Sequence, residues 1–167
     1  MKKMTEANLR AAFAGESQAH MKYLNFAERA EKDGLANVAR LFQAVAFAEQ
    51  VHASNHLRAL EGIQDTAVNL ADAIAGETFE VDEMYPSYVA VAELQGEKTA
   101  LHPMKWALEA EKIHSVLYAK AKEAAEKKQD ISGEDIWICA ACGFTVEGEA
   151  PDVCPVCGAP RARFRRF

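Results

Sequence analysis

Over the first 128 residues, apolar positions return every three or four residues, the period of an α-helix with one face in a core. The stripes predict four helices, over 5–33, 35–61, 68–95 and 98–128. Thr5 is the expected N-cap of the first, Asp33-Gly34 its stop, and Gly62 and Gly96 follow the second and third. Pro103 falls in the expected first turn of the fourth helix, and Pro86 should kink or interrupt the third. Helices roughly 40 Å long with short connections make an all-α four-helix bundle. After Lys127-Lys128 the pattern stops. A polar stretch holding Gly133 reads as a linker, Trp137-Ile138 as a short strand, and the rest as turns rich in Gly and Pro. The expected domains are therefore a bundle over 1–130 and a small unit over 131–167.

The apolar stripes carry acids in the wrong place. Glu16 lies between Phe13 and Tyr23. Glu49 and His52 continue Val38, Phe42 and Val45. Glu77 follows Leu70 and Ile74, with Glu80 one turn on. Glu111 and His114 follow Met104 and Leu108. A buried carboxylate without a partner is very costly, and Lys and Arg mostly occupy the other faces, so four such acids need a shared cation. Glu49-Gln50-Val51-His52 and Glu111-Lys112-Ile113-His114 are both Glu-x-x-His, which puts the two side chains of each on one helix face. One such motif is usually a surface pair. Two, with a Glu from each remaining helix, make the ligand set of a carboxylate-bridged di-metal bundle, suited to iron or manganese.

The chain also repeats itself. Ala14-Gly15-Glu16-Ser17 returns as Ala75-Gly76-Glu77-Thr78, Ala48-Glu49 with His52 returns as Ala110-Glu111 with His114, and Tyr23 maps onto Tyr85, at offsets of 61 and 62 residues. Two related hairpins would bring the four acids around two metals. Glu80 breaks the symmetry, since its counterpart is Ala19. It is either a solvated acid or a seventh ligand that gives one metal a choice of partners. Tyr23 and Tyr85 read equally as core aromatics or as hydrogen-bond donors to metal-bound carboxylates. His20 and His56 read as edge-of-core residues, and His102 as a surface residue.

All four cysteines lie in the tail. Cys139-Ala140-Ala141-Cys142-Gly143 and Cys154-Pro155-Val156-Cys157-Gly158 form two matching Cys-x-x-Cys-Gly turns, the pattern of a tetrahedral four-thiolate site that zinc and iron both fit. So short a tail builds little core, and the metal must supply much of its folding energy. Zinc there would be structural, whereas iron would be a one-electron relay, which a di-metal oxidant on the same chain needs.

Composition narrows the function. The formal charge is −6, concentrated in 1–130 (15 basic against 20 acidic residues), which argues against nucleic acid as a partner. No apolar run reaches membrane-spanning length and no signal-like segment follows Met1, so a cytoplasmic protein is expected. The basic end, Arg161 to Arg166, reads as a solvated terminus or as a dock for an acidic partner.

These residues together resemble the rubrerythrins. The likeness rests on Ala14-Gly15-Glu16-Ser17-Gln18-Ala19, the two Glu-x-x-His motifs, Gly76-Glu77-x-x-Glu80 with Glu83-Met84-Tyr85-Pro86-Ser87-Tyr88, and the double knuckle. It implies a ferritin-like bundle holding two irons through Glu16, Glu49, His52, Glu77, Glu80, Glu111 and His114. Glu49 and Glu111 would bridge, and one iron would move between His52 and Glu80 with redox state. It also implies a rubredoxin-like domain with one iron on Cys139, Cys142, Cys154 and Cys157. The activity implied is reduction of hydrogen peroxide to water in oxidative-stress defence. Electrons would come from an external NAD(P)H-linked reductase or a rubredoxin through the four-cysteine iron, in a homodimer or larger assembly. The knuckle of one subunit is expected to abut the di-iron site of another. Rival readings are a ferroxidase or iron-storage bundle, and a zinc-binding structural adaptor. The short 62–69 connection leaves open whether helices are exchanged between subunits.

Overall fold

A computed structural model describes residues 1–167. Its contacts divide the chain into two units, Met1–Gln64 and Asp65–Phe167. The first is a helical hairpin of α1 (Lys3–Lys32) and α2 (Ala36–Ala59). Gly34 turns the chain with φ +77°, and Leu35 N–H closes back on the Ala30 carbonyl at 2.9 Å. The two helices meet along small residues: Ala27, Ala30, Ala39, Ala46 and Ala53 are all buried. Tyr23, Phe26 and Phe42 gather their rings near the turn, with centroids 5.6–6.1 Å apart. Thr5 is not the N-cap. The helix starts two residues earlier, where Glu6 N–H reaches the Lys2 carbonyl at 3.0 Å and Glu6 pairs with Arg10.

In the second unit, α3 (Thr66–Phe79) opens on Asp65, whose carboxylate accepts from Val68 N–H at 3.0 Å. It runs through a π turn (Glu80–Met84) into α4 (Tyr85–Gln95), and all three segments pack on α5 (Lys98–Glu126). The kink or break expected at Pro86 is replaced by this widened turn, in which Tyr85 N–H bonds the Glu80 carbonyl five residues back. Widening the turn just before the proline removes the i−4 clash that its ring would make. It also accounts for the step in the internal repeat: Glu16 to Glu77 is 61 residues, Tyr23 to Tyr85 is 62, and the inserted residue lies between them, in the π turn. Pro103 lies one turn further in than expected, inside α5, where it offers no N–H to the Thr99 carbonyl.

The tail holds a three-stranded antiparallel sheet, in the order β2 (Thr145–Glu147), β1 (Ile136–Cys139), β3 (Phe164–Arg166). Cys139, Ala150, Cys154 and Phe164 form its small buried core, and Trp137 Nε1–H donates to the Gly148 carbonyl. The helical fold class with a terminal cysteine knuckle is the one read from the sequence. No helix is long and apolar enough to cross a membrane.

Candidate metal centres

Three clusters of ligand-type side chains emerge, each with one donor atom per residue inside 4.8 Å of the others: Cys139, Cys142, Cys154 and Cys157; Glu16, Glu49 and His52; and Glu77, Glu111 and His114. The second belongs to the hairpin and the third to the α3–α5 unit. The sequence repeat thus appears as two equivalent half-sites, each a Glu from one helix facing a Glu-x-x-His on its neighbour. In the hairpin, His52 Nδ1 lies 2.9 Å from Glu49 Oε2. In the second unit, His114 Nδ1 lies 2.6 Å from Glu111 Oε2 and 4.0 Å from Glu77 Oε1.

The acids are largely covered even within one chain. The Glu49, Glu77 and Glu111 side chains keep 16–17% of their exposure. Burial, a hydrogen bond shared with Glu111 and the charges of Glu111 and Glu80 push the Glu77 carboxyl up to about 7. Burial, then Glu111, also raises Glu80, with His114 acting the other way. Burial and the charges of Glu80, Glu111 and Glu77 raise the Tyr85 phenol, so this ring stands in the field of the half-site. Tyr23 instead belongs to the ring cluster with Phe26 and Phe42. His20 Nδ1 meets the Ala46 carbonyl at 2.8 Å, a helix-to-helix tie, and His102 stacks loosely on Trp106.

A fold that prefers Glu77 protonated is stabilised while the acid is neutral. Part of that stability is lost as pH rises from the unfolded value near 4.5 through about 7. Metal-free protein should therefore show a falling urea midpoint between pH 4.5 and 7.5. Glu77→Gln should flatten that slope; an equal slope in both proteins contradicts the account.

One functional contact escaped the sequence. Thr145, buried at the start of β2, donates its hydroxyl to the Gly143 carbonyl at 3.0 Å and faces His114 Nε2 at 2.8 Å. With the hydroxyl proton committed to Gly143, Nε2–H is the donor to Thr145. That leaves Nδ1 directed at the carboxylates, as a metal ligand must be. Gly143 allows this approach. It holds φ +84°, a left-handed backbone that residues with a Cβ rarely adopt. Lys120 and Glu147 clamp the same joint at 2.7 Å. The knuckle therefore rests on α5 of its own chain.

The cysteines fit a single metal. Sγ atoms of Cys139 and Cys157 lie 3.7 Å apart, and those of Cys142 and Cys154 3.5 Å, close to the roughly 3.7 Å edge of a tetrahedron with bonds of about 2.3 Å. Gly143 and Gly158, at φ +84° and +75°, end the two turns. Burial raises the Cys142 and Cys157 thiols. At Cys154 burial acts in the same direction but is outweighed by the N–H groups of Cys157 and Val156, which hold that thiol below its usual range. Oxygen-rich donors with an imidazole in each half-site likewise suit iron or manganese.

Comparison with known proteins agrees with this chemistry. The Rubrerythrin family model matches residues 7–122, and the model of the rubrerythrin rubredoxin-like domain matches 137–165. Rubrerythrin-2 of Clostridium acetobutylicum is 41% identical, over 98% of this chain and 97% of its own. Rubrerythrin of Nitratidesulfovibrio vulgaris is 34% identical, over 96% and 92%. A solved mixed-valence structure of nigerythrin is similar with a TM-score of 0.57 and 31% identity, over 98% of this chain and 86% of that one. With both domains matched, relatives similar over nearly their whole length and all three ligand clusters in place, the chain belongs to the rubrerythrin family of di-iron and Fe(Cys)4 oxidoreductases.

Proposed function

We propose that the chain is a non-haem peroxidase that reduces hydrogen peroxide, H2O2 + 2e⁻ + 2H⁺ → 2 H2O, in defence against oxidative stress in the cytoplasm. Glu16, Glu49, His52, Glu77, Glu80, Glu111 and His114 hold two irons. Cys139, Cys142, Cys154 and Cys157 hold a third, within a relay domain over 131–167 that follows the di-iron part over 1–130. Electrons enter from an external rubredoxin or NAD(P)H-dependent reductase. The observation that carries this reading is the joint at Thr145: the four-cysteine cluster is linked through Cys142, Gly143 and Thr145 to the Nε2 side of His114, whose Nδ1 faces Glu111. An iron-storage bundle has no use for such a link.

Bound iron supplies the electrons and the Lewis acidity for splitting the O–O bond. The protein's part is to hold and aim. Thr145 fixes the His114 ring with Nδ1 inward. The π turn takes up the added residue within the helix, and just beyond it Tyr85 stands in the field of the acids, with its phenol held protonated by burial and by their charge. The same turn sets Glu80 beside Glu77 as the further carboxylate that the hairpin half-site lacks.

Rapid mixing of the anaerobically reduced protein with peroxide or dioxygen tests the reading. Oxidation by peroxide should be at least about tenfold faster, a difference of roughly 1.4 kcal/mol in barrier. Faster oxidation by dioxygen would overturn the assignment in favour of a ferroxidase.

A further inference from the structure

The basic end of the chain forms one edge of the knuckle. The sheet order is β2-β1-β3, so β2 and β3 are its two edges, and β1, which ends on Cys139, runs between them. The β2 edge is turned to α5: Thr145 meets His114 there, and Glu147 meets Lys120. The β3 edge carries the arginines. Phe164 pairs with Cys139 and is buried, while Arg163 and Arg165 on either side of it are exposed. The Arg163 carbonyl accepts from the N–H of Ala140, the residue after Cys139, at 2.8 Å. The strand that carries a metal-ligand cysteine is thus flanked by the joint to His114 on one edge and by arginines on the other.

These charges are not neutralised within the tail. Arg166 reaches Asp135 at 3.3 Å and Arg161 meets Asp152 only at 3.9 Å, whereas Arg163 and Arg165 have no carboxylate partner. Glu147 is held by Lys120 at the other edge. Two of the guanidiniums are braced on rings: Arg165 lies 4.8 Å from the Phe167 ring centroid, and Arg161 6.0 Å from that of Trp137. Phe167 itself is 64% exposed, and so, at 59%, is Val153, which bridges to Pro160 at the foot of the same run. Arginines that only guard a bare edge strand against pairing need no such apolar neighbours. Arginine mixed with exposed aromatic surface is the make-up of a docking face. The rest of the chain fixes the partner's sign. With a net charge of −6, the molecule repels an acidic protein as a whole and draws it to this edge, so that it arrives oriented.

We infer that the Arg161–Arg166 edge is the docking surface for a small acidic one-electron carrier protein. The carrier's acidic rim lies on Arg163 and Arg165, and its apolar centre lies on Phe167. Such encounters are brief and their interfaces small, so a single edge suffices. On each visit the reduced carrier loses one electron and the metal held by the four cysteines gains it. Two visits supply the two electrons of one peroxide. The inference rests on the proposed function for the direction of electron flow, not for the docking itself.

Reduced flavodoxin, a small acidic one-electron carrier, is the probe. It is mixed with the full-length protein while the visible absorbance of the four-cysteine iron is followed. The wild-type rate should fall at least about tenfold from about 0.01 to about 1 M salt, as the reach of a charge shrinks from about 30 to about 3 Å. Arg163→Glu with Arg165→Glu should lower the low-salt rate at least about tenfold and remove its salt dependence. The same pair should weaken binding of oxidised flavodoxin to zinc-loaded protein, where no electron moves, by a similar factor. Reduced methyl viologen, a cation, should reduce this variant at least as fast as wild type. Lys2→Glu with Lys3→Glu alters the net charge equally and should leave the flavodoxin rate within about twofold. Should the charge-reversed tail lose its visible band, Arg163→Gln with Arg165→Gln decides in its place, through the same loss in smaller measure. Equal flavodoxin rates in wild type and the arginine variant, a wild-type rate indifferent to salt, or an equal loss in the lysine variant each overturn the inference. So do phosphatidylglycerol vesicles that hold the wild type more tightly than flavodoxin does, which would give the edge to a membrane. If docking is lost as expected while dioxygen outpaces peroxide, the docking surface stands and the peroxidase reading falls. If peroxide is the faster oxidant and docking is unchanged, the reverse holds.

Discussion

Glu111→Gln should abolish iron uptake at its half-site and make the metal-free protein more stable at neutral pH, two effects of opposite sign from one atom exchange. Glu111 sits at the crossing of the second half-site, 2.6 Å from His114 and hydrogen-bonded to Glu77. Gln keeps the volume and removes the charge. As a lost ligand it should cost more than the roughly 10–100-fold typical of outer-shell partners, in both iron affinity and peroxide turnover. Without metal, the same charge is a liability, because it is one reason why the fold prefers Glu77 protonated. Its removal relieves that repulsion, so the urea midpoint of the apo variant at pH 7 should exceed that of wild type. Metal analysis and denaturation on one preparation check both. Reduced apo stability would mean that Glu111 holds the helices together without metal, and that its buried charge needs no cation.

The need for a cation was legible in the sequence because helical periodicity reports which face a residue takes, and acids on an apolar face are conspicuous. The repeat holds more. Its offset moves from 61 at Glu77 to 62 at Tyr85, which is the mark of one inserted residue, and the π turn is that residue made visible. Pro86 taken alone reads as a breaker, though a turn widened before it lets the helix continue. Thr145 had no signal at all: a threonine in a three-residue strand becomes the partner of His114 only once the knuckle docks on α5, a contact between residues 31 apart. Only one short strand of the three-stranded sheet shows in the sequence for a related reason, since β2 and β3 have too few residues for an alternating pattern to emerge.

Cys154→Ser should separate relay from catalysis. Cys154 is almost fully buried and is one of four residues in the core of the knuckle. Its neighbours there are Cys139, Ala150 and Phe164, too little apolar surface to hold the tail folded without help. Metal binding at structural four-ligand sites is worth about 10–16 kcal/mol, so losing one thiolate should release the metal and unfold the sheet, not merely loosen it. Hydrogen exchange should show β1–β3 unprotected and α5 still protected, with the visible absorbance of the thiolate site gone. Turnover fed by an external reductase should then fall to background. A single oxidation of chemically reduced protein by peroxide should survive, slowed only as far as His114 loses its Thr145 partner. Were reductase-fed turnover to persist, electrons would be entering the helical site directly, and the tail would be structural. Were the single oxidation to vanish as well, Thr145 would be essential for the metal pocket itself, and the knuckle would be part of the active site, not its supply line.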